Sequence, residues 1–535
     1  MQLSDYDLKQ LNEGYVGSLA ESRLRALSLK LLADLKEARD RLNQNPGNSS
    51  RPPSSRAPWE KATSDDPYNS DNPNPDSEEP EQEEDNAAEE PPQSPESDET
   101  EKTESKETEQ TAAPSTKGKP GKQVGAPGFG RKLGQDLAIS AEYFYRPEFC
   151  GACGDRLSSD APSHAYTARL EVEIGTISTG VSGLEVTQTK HTYEACQCGC
   201  GHWTRAEPGR CEPEDGWKVE LTEWHVAGPM LTTFIGCLAM RMRLSRARIR
   251  EFLSDWLGLP MSIGTINQCV HEAGRALEPV VKDEIFSAVR EAELLHADET
   301  SWKESGQPLW LWVFSCASVT LFMIGRRTAE MVSNVLGDSF NGWLMTDGYL
   351  VYRNYDWRLR CLAHLVRKAR GLAESLDSEA QAFGKHALLQ LEVFMEAVYQ
   401  AREGPPGIPL TQIHAECLEM FRSFCEQHWD AEHKKTRELA REFLFDWDAI
   451  WAVLDYPWLP LTNNEAEQAL RHWIISRRIS FGTRTPEGSR AFTSLASVIE
   501  TCRKRNVLPW PYIAEVIRQR RKGKPVPPLP QTVVA

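Results

Sequence analysis

The spacing of apolar residues changes along the chain, and each change marks a predicted element or boundary. Leu24, Leu31 and Ala38 recur every seven residues, and Ser28, Leu35 and Leu42 follow four places later, so residues 17–44 are expected to form an amphipathic helix. Asn45, Pro46 and Gly47 end it. Such a helix either dimerises as a coiled coil or packs on its own domain. Aliphatic residues then nearly vanish from 48 to 134, where Pro, Ser, Glu and Gly dominate. A stretch of this kind buries too little surface to offset its ordering entropy, so it reads as a disordered linker. The spacing becomes helical from 217 to 280. It then shortens: 292–297, 309–315 and 319–324 are short runs rich in Val, Leu, Trp and Phe, with a hairpin signal at 304–308, and they predict successive strands of an α/β or α+β domain. From 359 to 455, and again beyond Asn463, the pattern is helical. The expected organisation is therefore multidomain: a zipper-like helix (1–47), a linker (48–134), a Cys-rich module (143–214), a helical region (215–285), an α/β core (286–505) with a helical insertion at about 359–455, and a tail (506–535).

Composition narrows the class. No apolar run approaches the roughly 20 residues needed to span a bilayer, and Asp5 and Asp7 stand where a secretion signal needs a basic start, so the chain is expected in the cytoplasm with no membrane partner. Most of the thirteen Cys stand alone in apolar surroundings, as at Cys237, Cys269, Cys316 and Cys417, which suits a reducing compartment rather than a disulfide framework. The net charge of −17 is concentrated in 60–109, which holds 20 acidic residues and 3 Lys. The remainder is close to neutral, so local Arg clusters decide what it binds. The end of the linker, 117–132, turns basic and Gly-rich; it either lies along a phosphate backbone or acts as a flexible basic spacer.

Three carboxylates form the main candidate site. Asp298 follows the first strand run, in His296-Ala297-Asp298-Glu299-Thr300, and Asp347 follows 343–346, in Thr346-Asp347-Gly348-Tyr349. Glu467 lies in Asn463-Asn464-Glu465-Ala466-Glu467, with Asn464 as the expected cap of a helix. Acidic groups at strand ends and on a facing helix can converge, and Mg²⁺ or Mn²⁺ takes oxygen ligands of this kind. Two such ions about 4 Å apart can activate a water or a 3′-hydroxyl and stabilise the leaving oxygen of a phosphodiester. Glu465 and Glu467 point about 200° apart on a helix, so only one of them can face the metals.

Other clusters carry separable chemistry. Cys150-Gly151-Ala152-Cys153 and Cys196-Gln197-Cys198-Gly199-Cys200 offer knuckles for a structural Zn²⁺, with Cys196 and Cys198 as the expected second pair and Cys200 as the rival. Cys361 and His364 have metal-ligand spacing without a second pair, and a packed Cys beside a hydrogen-bonded core His explains them equally well. Arg246, Arg248 and Arg250 precede a stretch, 252–266, with the length of a helix-turn-helix, Gly258 at its middle and Ser262 capping the second helix; the alternative is a helical bundle with an Arg-bearing surface. Arg471, Arg477 and Arg478, with Arg484, Arg490, Arg503, Lys504 and Arg505, would border nucleic acid lying along the carboxylates.

The ordered set Asp298-Glu299-Thr300, Asp347-Gly348-Tyr349, Cys361-Leu362-Ala363-His364 and Asn463-Asn464-Glu465-Ala466-Glu467 resembles the signature of bacterial insertion-sequence transposases of family sixty-six, within the DDE class. The resemblance also takes in the zipper-like helix, 48–55, the Gly-Lys-Pro-Gly run, the Cys-rich module and the tail. It implies a ribonuclease H-like core with a helical insertion before the last Glu, selects Glu467 over Glu465, sets His364 near the scissile phosphate, and suggests a zinc-ribbon-like module. The expected activity is metal-dependent cleavage and strand transfer at element ends. Expected partners are element-end and target DNA, further copies of the chain, and accessory proteins of the same element, at the bacterial nucleoid. Thr462 and Gln468 depart from the family pattern, which commonly has Asp and Arg there. Two other functions use the same features: a ribonuclease H-like nuclease without strand transfer, and a zinc-containing DNA-binding protein with a dead site.

Overall fold

The computed structural model describes residues 11, 13–42, 137–175, 183–206, 227–337 and 340–531, with a short strand pair at Arg210–Cys211 and Val219–Glu220. The expected linker, including its basic end at 117–132, lies outside the described residues. The fold is mixed α/β with two principal sheets.

Helix α1 spans Glu21–Leu42, within the expected 17–44. Its Leu24, Leu31 and Leu35 are 38%, 38% and 57% exposed, so the described residues leave much of the apolar stripe uncovered. Among the contacts of the helix with the rest of the protein, Asp40 accepts hydrogen bonds from Ser375 Oγ at 2.5 Å and from the Leu376 amide at 3.2 Å.

The first sheet contains β1 (Ile139–Tyr145), β2 (Ser163–Gly175), β3 (Glu185–Gln197) and β4 (Trp203–Arg205). Strand β3 is central, parallel to β1 and antiparallel to β2 and β4. The loops after β1 and β3 carry the clustered cysteines.

Three helices follow: α2 (Pro229–Met240), α3 (Arg246–Leu257) and α4 (Ile263–Val280). Ser245 caps α3 by accepting from the Arg248 amide, Gly258 closes it at φ 62°, and Ser262 caps α4 by accepting from the Thr265 amide. Helix α4 is largely buried; it packs on α2 and on the C-terminal helix Pro486–Lys504, where Gly274 meets the backbone of Ala491 with no room for a side chain. Buried residues of these helices and of the larger sheet form one continuous core, so the helical region is not a free-standing module.

The larger sheet has the order β9-β8-β5-β6-β7. Strands β5 (Leu294–Glu304), β6 (Gln307–Ser315) and β7 (Thr320–Gly325) form an antiparallel meander; β8 (Trp343–Thr346) runs parallel to β5, and β9 (Arg358–Arg360) parallel to β8. Helix α5 (Ala329–Leu336) connects β7 to β8. The insertion comprises α6 (Leu362–Ala373), α7 (Ser378–Glu403), α8 (Ala415–Gln427), α9 (Lys434–Phe445) and α10 (Trp447–Asp455), with its own aromatic-rich core that includes Phe383, Phe394, Phe421, Phe443 and Trp451.

The chain then returns to the sheet as α11 (Asn464–Ser480) and α12 (Pro486–Lys504) and ends in α13 (Pro509–Arg521). Helix α12 is lined with Ser, Thr and Ala, which lets it approach the edge strand β7 closely. Ser497 Oγ and Thr501 Oγ1 accept from the amides of Phe322 and Thr320, so the helix satisfies strand donors that would otherwise template aggregation. Arg521 of α13 makes a buried two-point pair with Glu272 of α4 and donates to the Ala227 carbonyl.

Candidate active site

Asp298 lies within β5, opposite Val313 of β6, because the strand continues past it to Glu304 instead of ending before it as the apolar run suggested. Asp347 follows the last residue of the neighbouring parallel strand β8, and Glu467 sits in the first turn of α11. The three approach closely enough for their charges to interact. Burial pushes the Asp298 carboxyl well above the usual range, and the charges of Asp347, Glu299 and Glu467 push the same way. Burial also raises Glu467, against the opposing pull of Arg367.

Glu467 Oε1 is buried without a hydrogen-bond partner. His364 Nδ1, equally buried and unpartnered, and Arg367 both stand 3.8 Å from it, too far for a hydrogen bond. Burial holds the His364 ring well below its ordinary pKa, with Arg367, Arg360 and Lys368 adding to the effect, so the imidazole is neutral. A buried carboxylate oxygen left without a donor suits a cation ligand.

Glu465 is committed elsewhere. It accepts from Lys504 Nζ at 2.5 Å and Ser315 Oγ at 3.1 Å, and it lies 3.6 Å from His296 Nε2. Burial raises its carboxyl, but Lys504 outweighs that and holds it below the usual range.

The motifs around the carboxylates are structural brackets. Asp298 and Glu299 project from opposite faces of β5. Glu299 is buried and neutralised by Arg327 at 2.6 Å, and it also accepts from Tyr352 Oη at 2.9 Å. The Arg327 guanidinium stacks 3.7 Å from the centre of the Tyr349 ring, whose hydroxyl donates back to the Arg327 carbonyl, so the Asp298 and Asp347 segments share one lattice. Gly348 has φ +96°, and the Arg360 guanidinium fills the space where a Cβ would stand. Asp347 Oδ1 accepts from the Tyr349 amide at 3.0 Å, which fixes the turn.

Asn463, not Asn464, occupies the cap position of α11, and its side chain does not cap. Instead Nδ2 donates to the Ala297 carbonyl at 2.9 Å, Oδ1 faces His296 Nδ1 at 3.1 Å, and its amide donates to Cys361 Sγ at 3.2 Å. One residue thus ties the Glu467 helix to the strand of Asp298 and to α6. Sequence reasoning missed this role, as well as those of Glu299, Arg327 and Lys504; the paired Asn in the motif was the available signal for Asn463.

The second cluster differs from the expected ligand set. The thiols of Cys150, Cys153, Cys198 and Cys200 come together, whereas Cys196 does not join them. Cys196 is in β3, where its side chain accepts from Arg146 Nε at 3.3 Å; Cys198 and Cys200 lie in the tight turn beyond that strand, closed by the Gly201 amide donating to the Cys198 carbonyl. The Cys150–Cys200 and Cys153–Cys198 sulfurs are 3.7 and 3.6 Å apart. Four sulfurs held tetrahedrally at about 2.3 Å from one ion would be roughly 3.8 Å apart, so the cluster has the dimensions of a zinc site. Backbone amides of Cys153 and Ala152 pull the Cys150 thiol down to about 6.

Of the expected DNA contacts, Arg248, Arg250, Arg471 and Arg478 are exposed, Arg248 pairing with Glu251. Arg246 is held by Asn267 at 3.3 Å, linking α3 to α4, and Arg477 donates to Thr300 Oγ1 and Ser301 Oγ, linking α11 to β5. Among the described residues, no helix is long and apolar enough to cross a membrane.

Residues 225–491, about half of the chain, match the family model described as "Transposase IS66 family". The chain is also similar to three curated proteins of Sinorhizobium fredii (strain NBRC 101917 / NGR234). It is 24% identical to uncharacterized protein y4qI over 302 residues, 50% of this chain and 55% of the relative. Identity to uncharacterized protein y4jO is 32% over 88 residues, 16% of this chain and 27% of the relative. Uncharacterized protein y4jD matches at 24% over 248 residues, covering 42% of this chain and 45% of the relative. The chain thus spans about half the length, or less, of the curated relatives it matches. The matched family segment contains Asp298, Asp347 and Glu467 as well as the helical insertion, and the chain belongs to the IS66 transposase family.

Proposed function

We propose that the chain cleaves DNA at the ends of an insertion sequence and transfers the freed strands to a target, with Asp298, Asp347 and Glu467 as ligands of Mg²⁺ or Mn²⁺. The observation that carries this reading is the approach of three carboxylates from β5, β8 and α11, with Asp298 raised by burial and then by its neighbours' charges and Glu467 Oε1 left without a donor. Such a site is under-neutralised until a cation enters. The sheet order β9-β8-β5-β6-β7, a three-stranded meander followed by two parallel strands, supports a ribonuclease H-like core.

When bound, the divalent ions polarise the scissile phosphate and lower the pKa of the attacking water or 3′-hydroxyl. The chain's own groups do the positioning. Asn463 sets the start of α11, the Glu299–Arg327–Tyr349 lattice holds the two Asp segments, and neutral His364 presents a ring nitrogen beside Glu467, within reach of a phosphate. Exposed Arg248, Arg250, Arg471 and Arg478 supply phosphate contacts that orient DNA without reading its bases. Cys150, Cys153, Cys198 and Cys200 hold a structural zinc. The uncovered Leu24, Leu31 and Leu35 stripe pairs with a second copy, which supplies the two active sites needed to join two ends.

The test is a strand-transfer assay with the full chain, Mg²⁺ and linear DNA bearing the inverted repeats that flank its gene. Joined products support the reading. Nicking without joining would leave a nuclease, and no cleavage under any divalent ion would remove the enzymatic reading.

A further inference from the structure

Cys361 and His364 have metal-ligand spacing in the sequence but no second pair, and the fold supplies a third ligand from a distant segment. One ligand atom from each of Cys361, His364 and Glu467 lies within 4.8 Å of the others. We infer that Cys361, His364 and Glu467 form a separate site for zinc or a similar soft cation, which shares Glu467 with the carboxylate centre and shuts that centre off when filled.

Geometry carries this first. Cys361 is the residue before α6 and His364 lies in its first turn, which faces the first turn of α11. His364 Nδ1 and Glu467 Oε1, 3.8 Å apart, are each buried with no hydrogen-bond partner. Two buried polar atoms 3.8 Å apart, neither with a hydrogen-bond partner, leave a place that a cation can fill. Cys361 Sγ already accepts the Asn463 amide at 3.2 Å, as thiolates do in metal knuckles. On binding, the thiol proton passes to solvent and the sulfur lone pair to the ion. Three protein ligands leave a fourth position for water, the arrangement of an open tetrahedral site.

Donor chemistry then sets the cation. One thiolate, one imidazole and one carboxylate oxygen suit zinc or cobalt, whereas Mg²⁺ takes oxygen almost exclusively. Arg367, also 3.8 Å from Glu467 Oε1, competes with any cation there. An ion that gains only the carboxylate meets that competition unaided; one that gains sulfur and nitrogen as well overcomes it. Because Glu467 cannot serve both centres fully, filling the soft site weakens the oxygen-only one. The inhibitory consequence rests on the proposed Mg²⁺ site, but the existence of the soft site does not.

The test titrates Co²⁺ into the full chain carrying one equivalent of zinc, which the four-thiol cluster takes first, and follows the thiolate-to-cobalt charge-transfer band. The expected result is a band at one further equivalent that Cys361→Ser removes and for which His364→Gln weakens affinity at least about tenfold. Identical spectra in wild type and Cys361→Ser overturn the site. Should Cys361→Ser fail to fold, unchanged cobalt affinity in His364→Gln overturns it instead. In cleavage assays with Mg²⁺, added zinc inhibits the wild type, and His364→Gln, measured against its own zinc-free rate, needs at least about tenfold more zinc. Cleavage without a Cys361-dependent band contradicts this site alone. The band without cleavage in any metal supports this site and contradicts the transposase reading.

Discussion

Asn463 Nδ2 donates to the Ala297 carbonyl at 2.9 Å, which joins the residue capping the Glu467 helix to the residue just before Asp298. This contact, together with that of Arg477 on Thr300 and Ser301, bridges the sequence separation between the two carboxylates. Asn463→Ala leaves the buried Ala297 carbonyl and His296 Nδ1 without their partner, a loss of about 1–3 kcal/mol. Denaturant unfolding should show that loss, and DNA cleavage should fall further than stability alone explains. Wild-type cleavage by a destabilised Asn463→Ala would mean that the contact does not position Glu467.

Glu465 and Glu467 stand two residues apart with opposite assignments. Glu467→Gln should abolish cleavage while DNA binding persists. Glu465→Gln removes the partner of Lys504 and should lower thermal stability while cleavage at permissive temperature stays within a few-fold of wild type. Reversed phenotypes would reverse the assignment.

Metal analysis of protein purified without chelator should give about one zinc per chain for wild type and Cys196→Ser, and a loss in Cys150→Ser, Cys153→Ser and Cys200→Ser. Retention in Cys200→Ser together with loss in Cys196→Ser would restore the ligand pair expected from sequence.

The carboxylate centre should also register in stability. Burial and neighbouring charges raise the folded-state carboxyl of Asp298 above its unfolded value, so it favours folding at low pH and costs stability as pH rises through the folded pKa. In chelator at neutral pH, Asp298→Asn should therefore melt at or above the wild-type temperature, and the gap should narrow as pH is lowered. Adding Mg²⁺ should raise the wild-type melting temperature more than the variant's. A variant that melts well below wild type in chelator would show that Asp298 is not strained by its neighbours.

Leu31 and Leu35 are 38% and 57% exposed on α1, and the proposed pairing of two copies would cover them. Light scattering on Leu31→Lys, Leu35→Lys should show a smaller mass than wild type in the absence of DNA, since a buried unpaired charge in the seam costs several kcal/mol. An unchanged mass would assign assembly to other surfaces or to DNA.

Much of this was legible in the residues, and the limits have physical causes. The three short apolar runs appear as β5, β6 and β7, and Gly258 and Ser262 mark helix ends where turn chemistry requires them. Asp298 was placed beyond its strand because the polar run Asp298-Glu299-Thr300 hides pairing that only β6 reveals. The structure gathers Cys200, the rival, rather than Cys196 with the other thiols: knuckle spacing alone does not distinguish overlapping Cys-x-Cys pairs, and strand β3 continues through Cys196 and fixes its side chain against Arg146. Asn464 looked like the cap from local propensity, but a tertiary hydrogen bond recruits Asn463 to the sheet. The roles of Arg246 and Arg477 were invisible for the same reason: a positive charge in sequence does not reveal whether its guanidinium faces solvent or Asn267 and Thr300.

The most direct test of the account is cleavage of element-end DNA in Mg²⁺ by wild type, Asp298→Asn, Asp347→Asn and Glu467→Gln, each first shown to bind that DNA. These variants remove one anionic ligand apiece with little change in shape. Wild type should cleave, and none of the three variants should cleave above background. Full cleavage by any one of them would contradict the triad.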